Sequence, residues 1–284
     1  MLKKQKRVVA IHDISCVGKC SLTVALPILS AAGAETSIIP TAVLSTHTGG
    51  FTGYTYHDLT DEIIPITNHW KTLDLEVDAI YTGFLGSYEQ IDIMKKVFDM
   101  FKTKDNLIYV DPVMGDNGSL YTIFDKEFAK GMASLCAKAD MIIPNITEAC
   151  FMLDEIYQEP PYEQSYVENL LKKLAELGPK KVVLTGVAFV EDELGTAVYD
   201  SETNTVDYVF AKRIDGYYHG TGDVFGSAML AGLVNDCSLK RSAEIAVNYT
   251  VNSIQRTKDA GTDVKYGVDF ERGIPAFIKD LGLS

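Results

Sequence analysis

The feature that most constrains the fold of this chain is a regular alternation. Short, β-branched apolar runs are separated by longer segments of helical period. Val8–His12, Thr36–Pro40, Ala79–Thr82, Leu107–Val110, Met141–Ile143 and Lys181–Leu184 read as buried strands. Lys19–Ala32, Asp61–Leu73, Glu89–Phe101, Lys126–Ala137 and Glu163–Leu177 read as the helices between them. A βαβα order implies parallel strands, because each crossover helix returns the chain over a face of the sheet. The pattern then changes. Gly195–Tyr199 and Val206–Ala211 alternate apolar and polar residues around the turn-rich Asp200–Asn204, which predicts an antiparallel hairpin at one edge. Helices are expected again at Asp223–Val234, Ser238–Arg256 and Phe270–Leu281. No internal repeat or Pro/Gly/Ser linker interrupts the 284 residues, so a single domain over 1–284 is expected.

Composition narrows the partners. Apolar content of 46% and charged content of 23% are ordinary for a soluble globular protein. The formal net charge of −13 argues against nucleic acid or an anionic membrane as a partner. No run reaches the ~18 apolar residues of a membrane span. The basic stretch Met1–Arg7 leads straight into a strand and does not read as a signal peptide. Cys16, Cys20, Cys136, Cys150 and Cys237 are odd in number and lack a CxxC spacing, which suggests neither disulfide framework nor zinc site. A reducing cytoplasm is the expected location.

In open α/β sheets ligands bind beyond the C-terminal ends of the strands, so the polar residues that follow each strand are the candidates. They are Asp13 and Ser15; Thr46, His47 and Thr48, with the Gly/aromatic loop Gly49–Tyr56; Thr82-Gly83-Phe84-Leu85-Gly86-Ser87; Asp111 to Asp116; Pro144-Asn145-Ile146-Thr147-Glu148; and Thr185. Asp111, Asp116 and Glu148 form a candidate Mg²⁺ group, since this hard cation prefers carboxylate and water oxygens and bridges to phosphates. Each also has a structural reading: Asp116-Asn117-Gly118 as a turn, Thr147 and Glu148 as a helix opening. Cys16-Val17-Gly18-Lys19-Cys20-Ser21 is not a P-loop. Asp13 stands where its first glycine belongs, and Cys20 where its Ser/Thr belongs.

His219-Gly220-Thr221-Gly222-Asp223, followed by the apolar run Val224–Leu230, carries the most chemistry. Two glycines allow a tight turn at a helix N-terminus, where free N–H groups and the dipole attract anions. A carboxylate in such a loop makes sense if Asp223 takes a proton from a hydroxyl while the amides hold the phosphoryl group under attack. The competing reading is a simple helix cap.

With GTGD, Asp-Pro-Val-Met-Gly-Asp and Pro-Asn-x-x-Glu in this order, the chain resembles the ribokinase superfamily. Ser45-Thr46-His47-Thr48 and Thr82–Ser87 are similar to the S-N-H-T and S-G-Y-L-G-S segments of its pyridoxal kinases, and most of all to the bacterial pyridoxamine kinase group. The resemblance runs from about Val8 to about Thr257. It implies a ribokinase-like three-layer α/β/α sandwich with a mostly parallel central sheet, an antiparallel hairpin toward one edge and no separate lid domain. It further implies an ATP-dependent kinase acting on the 5′-hydroxymethyl group of pyridoxal, pyridoxine or pyridoxamine, with Mg²⁺, a monovalent cation and a homodimer. By position, Asp223 would be the base, and the amides of Gly220, Thr221 and Gly222 the anion hole. Asp111, Asp116 and Glu148 would serve Mg²⁺ and phosphates. Asn145 and Thr185 would line the nucleotide side; Asp13, Ser15, Thr46, His47, Thr48, Gly83 and Tyr121 the vitamer side. Asp13 departs from the pattern, which carries a serine facing the pyridine nitrogen; a carboxylate there would favour a pyridinium or cationic substituent, or else cap the helix expected after Gly18. The alternatives are a hydroxymethylpyrimidine (phosphate) kinase and a non-catalytic vitamer or nucleotide sensor. Kinases of that first type carry cysteine in place of Asp223 and Gln-Asn-Thr in place of Thr46-His47-Thr48.

Overall fold

The computed structural model describes residues 4–283; Met1–Lys3, the start of the basic N-terminal stretch, lie outside the described residues. The chain clusters into two compact units, Met1–Tyr81 with Ile214–Ser284, and Thr82–Arg213. The first therefore draws on two stretches of the sequence that are far apart in the chain.

In the first unit β1 (Arg7–Ser15) pairs in parallel with β2 (Glu35–Leu44), from Arg7↔Glu35 to Ser15↔Leu44. β3 (Tyr56–Asp58) adds antiparallel to β2, and β4 (Ala79–Thr82), which ends at the unit boundary, neighbours β1. Both faces of β1 are covered. Val8 to Ile11 are all buried, which is why the sequence reads there as a continuous apolar run and not an alternation. The helices of this unit are α1 (Leu22–Ala31), α2 (Thr60–Lys71), α7 (Thr221–Val234), α8 (Leu239–Ala260) and α9 (Ile274–Asp280), numbered in chain order. α7 is buried from Val224 through Gly232 and packs on α1 and α8. A Cβ on Gly232 would lie 2.7 Å from the Ser242 hydroxyl, so glycine sets how closely α7 and α8 cross.

In the second unit β5 (Leu107–Val110), β8 (Met141–Ile142) and β9 (Lys181–Val187) run parallel. The hairpin β10 (Glu193–Asp200) and β11 (Thr205–Lys212) continues antiparallel from β9. Its helices are α3 (Tyr88–Phe101), α4 (Lys126–Cys136), α5 (Ile146–Leu153) and α6 (Gln164–Glu176). A small ribbon, β6 (Gly115–Asp116) with β7 (Ser119–Leu120), is closed by Asn117 and Gly118, both at positive φ. That is the two-residue turn that matches strand twist, and it makes the Asp116-Asn117-Gly118 turn reading correct.

Several boundaries move from the sequence expectation, each for a local reason. α1 starts at Leu22 instead of Lys19 because Gly18 (φ 88) and Ser21 (φ 55) leave helical geometry. α9 starts at Ile274 instead of Phe270 because Glu271–Gly273 form a 3₁₀ turn first. β3, β6 and β7 are unanticipated; they are two or three residues long and too polar to show a period. Among the described residues no helix is long and apolar enough to cross a membrane.

One core residue has a cost that titrates. His12 in β1 is fully buried, its two ring nitrogens make no hydrogen bond, and its ring meets Tyr81 edge-on at 4.4 Å. Burial depresses it from 6.5 to about 3. Below pH 6.5 the unfolded chain binds a proton here that the native state refuses, so stability is full above 6.5 and falls with pH toward 3. At pH 5 this amounts to about 2 kcal/mol. Urea unfolding of wild type and His12→Leu at pH 7 and pH 5 should show wild type losing about that much more than the variant. Equal losses in both would clear His12 of the effect.

Candidate active site

Two clusters of polar side chains gather at strand ends, one in each unit. The first is built around the N-terminus of α7. Gly220 is its N-cap at φ 75, and a Cβ there would sit 2.0 Å from the Lys19 carbonyl oxygen, so only glycine fits. Thr221 donates its hydroxyl to the Tyr218 carbonyl at 3.2 Å. The N–H groups of Thr221, Gly222 and Asp223 fall in the first turn, where a helix offers no internal acceptors. Around Gly222 no atom lies within 4 Å of a built Cβ. Glycine here leaves open space above an exposed row of amides, a geometry suited to an anion.

Asp223 lies inside the first turn of α7 and Gly220 is its N-cap, so Asp223 does not hold the capping position. Its half-buried carboxyl is pushed up to about 7 by desolvation, with the Asp13 charge adding and the Ser21 N–H opposing. A carboxyl in that range can both lose and accept a proton near neutral pH. Asp13 is itself buried. Its Oδ1 accepts the Ser21 hydroxyl at 2.6 Å and its Oδ2 the Ser15 hydroxyl at 2.9 Å. Burial raises the Asp13 carboxyl, and the two hydroxyls hold it back. Asp13 thus caps no helix; α1 begins at Leu22 with Ser21 as N-cap. The Cys20 thiol beside Gly220 is pushed well up by burial, Asp223 and Asp13, and stays protonated.

The segment after β2 holds the remaining residues of this cluster. His47 is buried; its Nε2 meets the Lys265 carbonyl at 2.6 Å and its Nδ1 accepts the Gly49 N–H at 3.1 Å. This network sets the tautomer with the proton on Nε2. Both nitrogens being engaged by backbone, His47 has none left to take a substrate proton, and desolvation lowers its pKa further. A Cβ at Gly18 would lie 2.1 Å from the His47 ring, so that glycine admits the imidazole. His219 packs against His47 at 5.1 Å. Thr46 keeps a buried Oγ1 with no hydrogen-bond partner, while Thr48 is exposed.

The second cluster forms at the ends of β4, β5 and β8. Asp111 is buried, and its N–H donates to the Thr82 carbonyl at 2.9 Å, next to buried Gly83. Asn145 caps α5. Its Oδ1 accepts the Glu148 N–H, and Glu148 Oε2 accepts the Asn145 N–H at 2.8 Å in a capping box. The other Glu148 oxygen accepts the Met114 N–H at 3.1 Å, and Asn145 Nδ2 donates to the Gly115 carbonyl. Glu148 is therefore both a helix opening and a strut for the Met114–Gly115 backbone. Thr147 takes the Gly118 N–H at 2.9 Å, Thr185 bridges to Asn145, and half-exposed Tyr121 is held through its N–H by the Met114 carbonyl.

Burial pushes the Glu148 carboxyl up to about 8, and the Asp116 charge adds to it. Such crowded acidity, all oxygen donors, suits a hard cation that would relieve it. Among the described residues, however, no three His, Cys, Asp or Glu side chains converge to hold a metal directly. The reason is visible at Glu148, whose two oxygens already accept backbone N–H groups. The three carboxylates fit a hydrated Mg²⁺ that takes further oxygens from phosphates; they do not form a protein cage.

Sequence reasoning gave no role to Ser21 or Cys20, and named His219 only as the head of the GTGD stretch. Ser21 lies in the stretch dismissed as a failed P-loop. Its φ of 55 and ψ of −131, which cost a side-chain-bearing residue on the order of 1–3 kcal/mol, leave no mark in the sequence.

Comparison with known proteins agrees with this architecture. The family model described as phosphomethylpyrimidine kinase matches residues 26–267. A protein of Bacteroides thetaiotaomicron assigned as a phosphomethylpyrimidine kinase, solved with pyridoxal, is 38% identical with a TM-score of 0.92, covering 96% of each chain. Pyridoxal kinase from Lactobacillus plantarum is 30% identical with a TM-score of 0.88, over 96% of this chain and 97% of that one. A chloroplastic thiamine biosynthetic bifunctional enzyme of Arabidopsis thaliana is 25% identical over 82% of this chain. The chain spans less than half the length of that plant enzyme, 44%. The fold is the mixed α/β one of these kinases, with a mostly parallel central sheet and a small antiparallel hairpin. On the match of residues 26–267 and the near-complete structural overlap, the chain belongs to the phosphomethylpyrimidine kinase family as a pyridoxal kinase-like member of the ribokinase superfamily.

Proposed function

We propose that this phosphotransferase uses ATP to phosphorylate the 5′-hydroxymethyl group of a vitamin B6 vitamer, the pyridoxal kinase reaction, in the cytoplasm and as a homodimer. The observation that carries the reading is Asp223: a carboxyl raised to about 7, in the first turn of a glycine-opened helix whose amides lie bare. In the reaction Asp223 takes the hydroxyl proton as that oxygen bonds to the γ-phosphorus. The bond from the γ-phosphorus to the β,γ-bridging oxygen breaks, and ADP leaves. The amides of Gly220, Thr221 and Gly222 hold the charge on the transferring group, which is where such reactions gain most of their rate. Asp111, Asp116 and Glu148 would hold Mg²⁺, which supplies charge neutralisation for the phosphates. Asn145 and Thr185 would line the nucleotide side. Ser15, Thr46, Thr48, Gly83 and Tyr121 would line the vitamer side, the unpartnered Thr46 hydroxyl offering a ready hydrogen bond. Asp13 would favour a protonated ring nitrogen or an amine, and His47 would shape this side through its ring and the loop it holds.

The second reading, hydroxymethylpyrimidine kinase, is favoured by the family description and the plant relative. Asp223 in place of cysteine and Thr46-His47-Thr48 in place of Gln-Asn-Thr weigh toward B6, as does pyridoxal in the Bacteroides relative. The deciding test is ATP- and Mg²⁺-dependent turnover of pyridoxal, pyridoxine, pyridoxamine and hydroxymethylpyrimidine side by side. The expected result is kcat/KM at least tenfold higher for a vitamer than for the pyrimidine, with pyridoxamine gaining most from Asp13. Turnover of the pyrimidine alone moves the protein to the second reading; no turnover of any leaves a sensor.

A further inference from the structure

Ser21 meets two different carboxyl groups, one with its side chain and one with its backbone. Its hydroxyl donates to Asp13 Oδ1 at 2.6 Å, and its N–H donates to Asp223. Its carbonyl accepts the first helical bonds of α1, from Val24 at 3.0 Å and Ala25 at 2.9 Å. A buried serine at φ 55 and ψ −131 occupies a conformation that favours glycine, so something must hold it there. The available hold is the short bond to Asp13, which Ser15 secures from the other oxygen. Turning Ser21 toward an ordinary φ would swing its N–H away from Asp223.

We infer that Ser21 is a positioning residue for the base: its hydroxyl, anchored on Asp13, holds the backbone kink that aims its N–H at Asp223. This rests on Asp223 being the proton acceptor proposed above. The N–H favours the ionised form of Asp223 and fixes the direction of its oxygens. The titratable groups that face Asp223 are Asp13 on β1 and the protonated, uncharged thiol of Cys20 ahead of α1, and His47 faces Asp13. The Lys19 ammonium is engaged by Glu271 at 2.7 Å.

Ser21→Ala is the informative variant. It keeps the N–H and the Cβ, and with the Cβ the resistance to a positive φ, while deleting the anchor that opposes it. The expected result is kcat reduced about tenfold or more, with KM for ATP and vitamer changed less than about threefold. The acidic limb of the kcat–pH profile should move to higher pH, because a loosened N–H supports the carboxylate less. Ser21→Gly is the control: it deletes the same hydroxyl but adopts the kink without help, so its kcat should recover toward wild type. A Ser21→Ala enzyme with wild-type kcat and an unmoved acidic limb overturns the inference, and so does a Ser21→Gly enzyme as impaired as Ser21→Ala. Asp223→Asn measured alongside separates the two ideas. A near-normal Asp223→Asn defeats the base assignment itself, whereas an inactive one beside a normal Ser21→Ala defeats only the role of Ser21.

Discussion

Replacing Asp223 by asparagine should abolish most turnover while making the protein more stable. Loss of a general base lowers kcat by about 10²–10⁴, and ATP affinity should change little because the first-turn amides remain. The stability gain follows from the same carboxyl. Its folded pKa of about 7 stands above the ordinary carboxyl value of 3.8. Between those values the unfolded chain has released a proton that the native state retains, so wild-type stability falls as pH rises through this window. Asparagine takes no part in that titration. Asp223→Asn should therefore match wild type near pH 4, gain progressively to pH 7 and stay ahead above it. The full shift corresponds to about 4 kcal/mol, and partial exposure of the group brings the expected gain to about 2 kcal/mol. Thermal unfolding from pH 4 to 8 and steady-state kinetics at pH 8 test both halves. A kcat within tenfold of wild type would end the base assignment, and a pH-independent Tm difference would show that the carboxyl is not raised.

The two glycines beside Asp223 should respond in opposite ways. Gly220→Ala forces an alanine into the left-handed region and drives its Cβ to 2.0 Å from a backbone oxygen, which no rotamer relieves. The Lys19 turn or α7 must move, at about 3 kcal/mol or more, lowering Tm by roughly 5–10 °C. Gly222→Ala meets nothing within 4 Å and gains helix propensity, so Tm should hold or rise by a degree or two, roughly. Its methyl group enters the space above the bare amides, and kcat/KM for ATP should fall about tenfold or more. Differential scanning fluorimetry with ATP titrations of both variants separates fold from site. An unimpaired Gly222→Ala would show that the anion does not approach at this glycine.

The candidate site residues could be named from the sequence because their positions are local. Asp223 follows Gly220 and Gly222 within one turn, and Asn145 and Glu148 stand at the spacing of a capping box; both facts are properties of adjacent residues. Their double meaning was legible too, and the structure resolved each pair differently. Asp223 is not a cap, whereas Glu148 is a capping-box partner that also braces Met114. His47 shows the opposite limit. Between two threonines it looks like any loop histidine, yet its donor partner is the Gly49 N–H nearby and its acceptor partner the Lys265 carbonyl, more than two hundred residues later.

The sequence by itself determined the βαβα alternation, the hairpin after β9 and the glycine-opened start of α7. Hydrophobic period, β-branching and turn chemistry are read over a few neighbouring residues, and no distant contact is needed to state them. Tertiary structure alone decided which groups face Asp223. Asp13, Ser21 and Asp223 come from β1, from the turn before α1 and from α7, and only packing of α1 against α7 brings them together. Desolvation is a property of everything that surrounds a group, so the raised Asp223, the silenced His47 and the strained Ser21 exist only once the chain has closed around them.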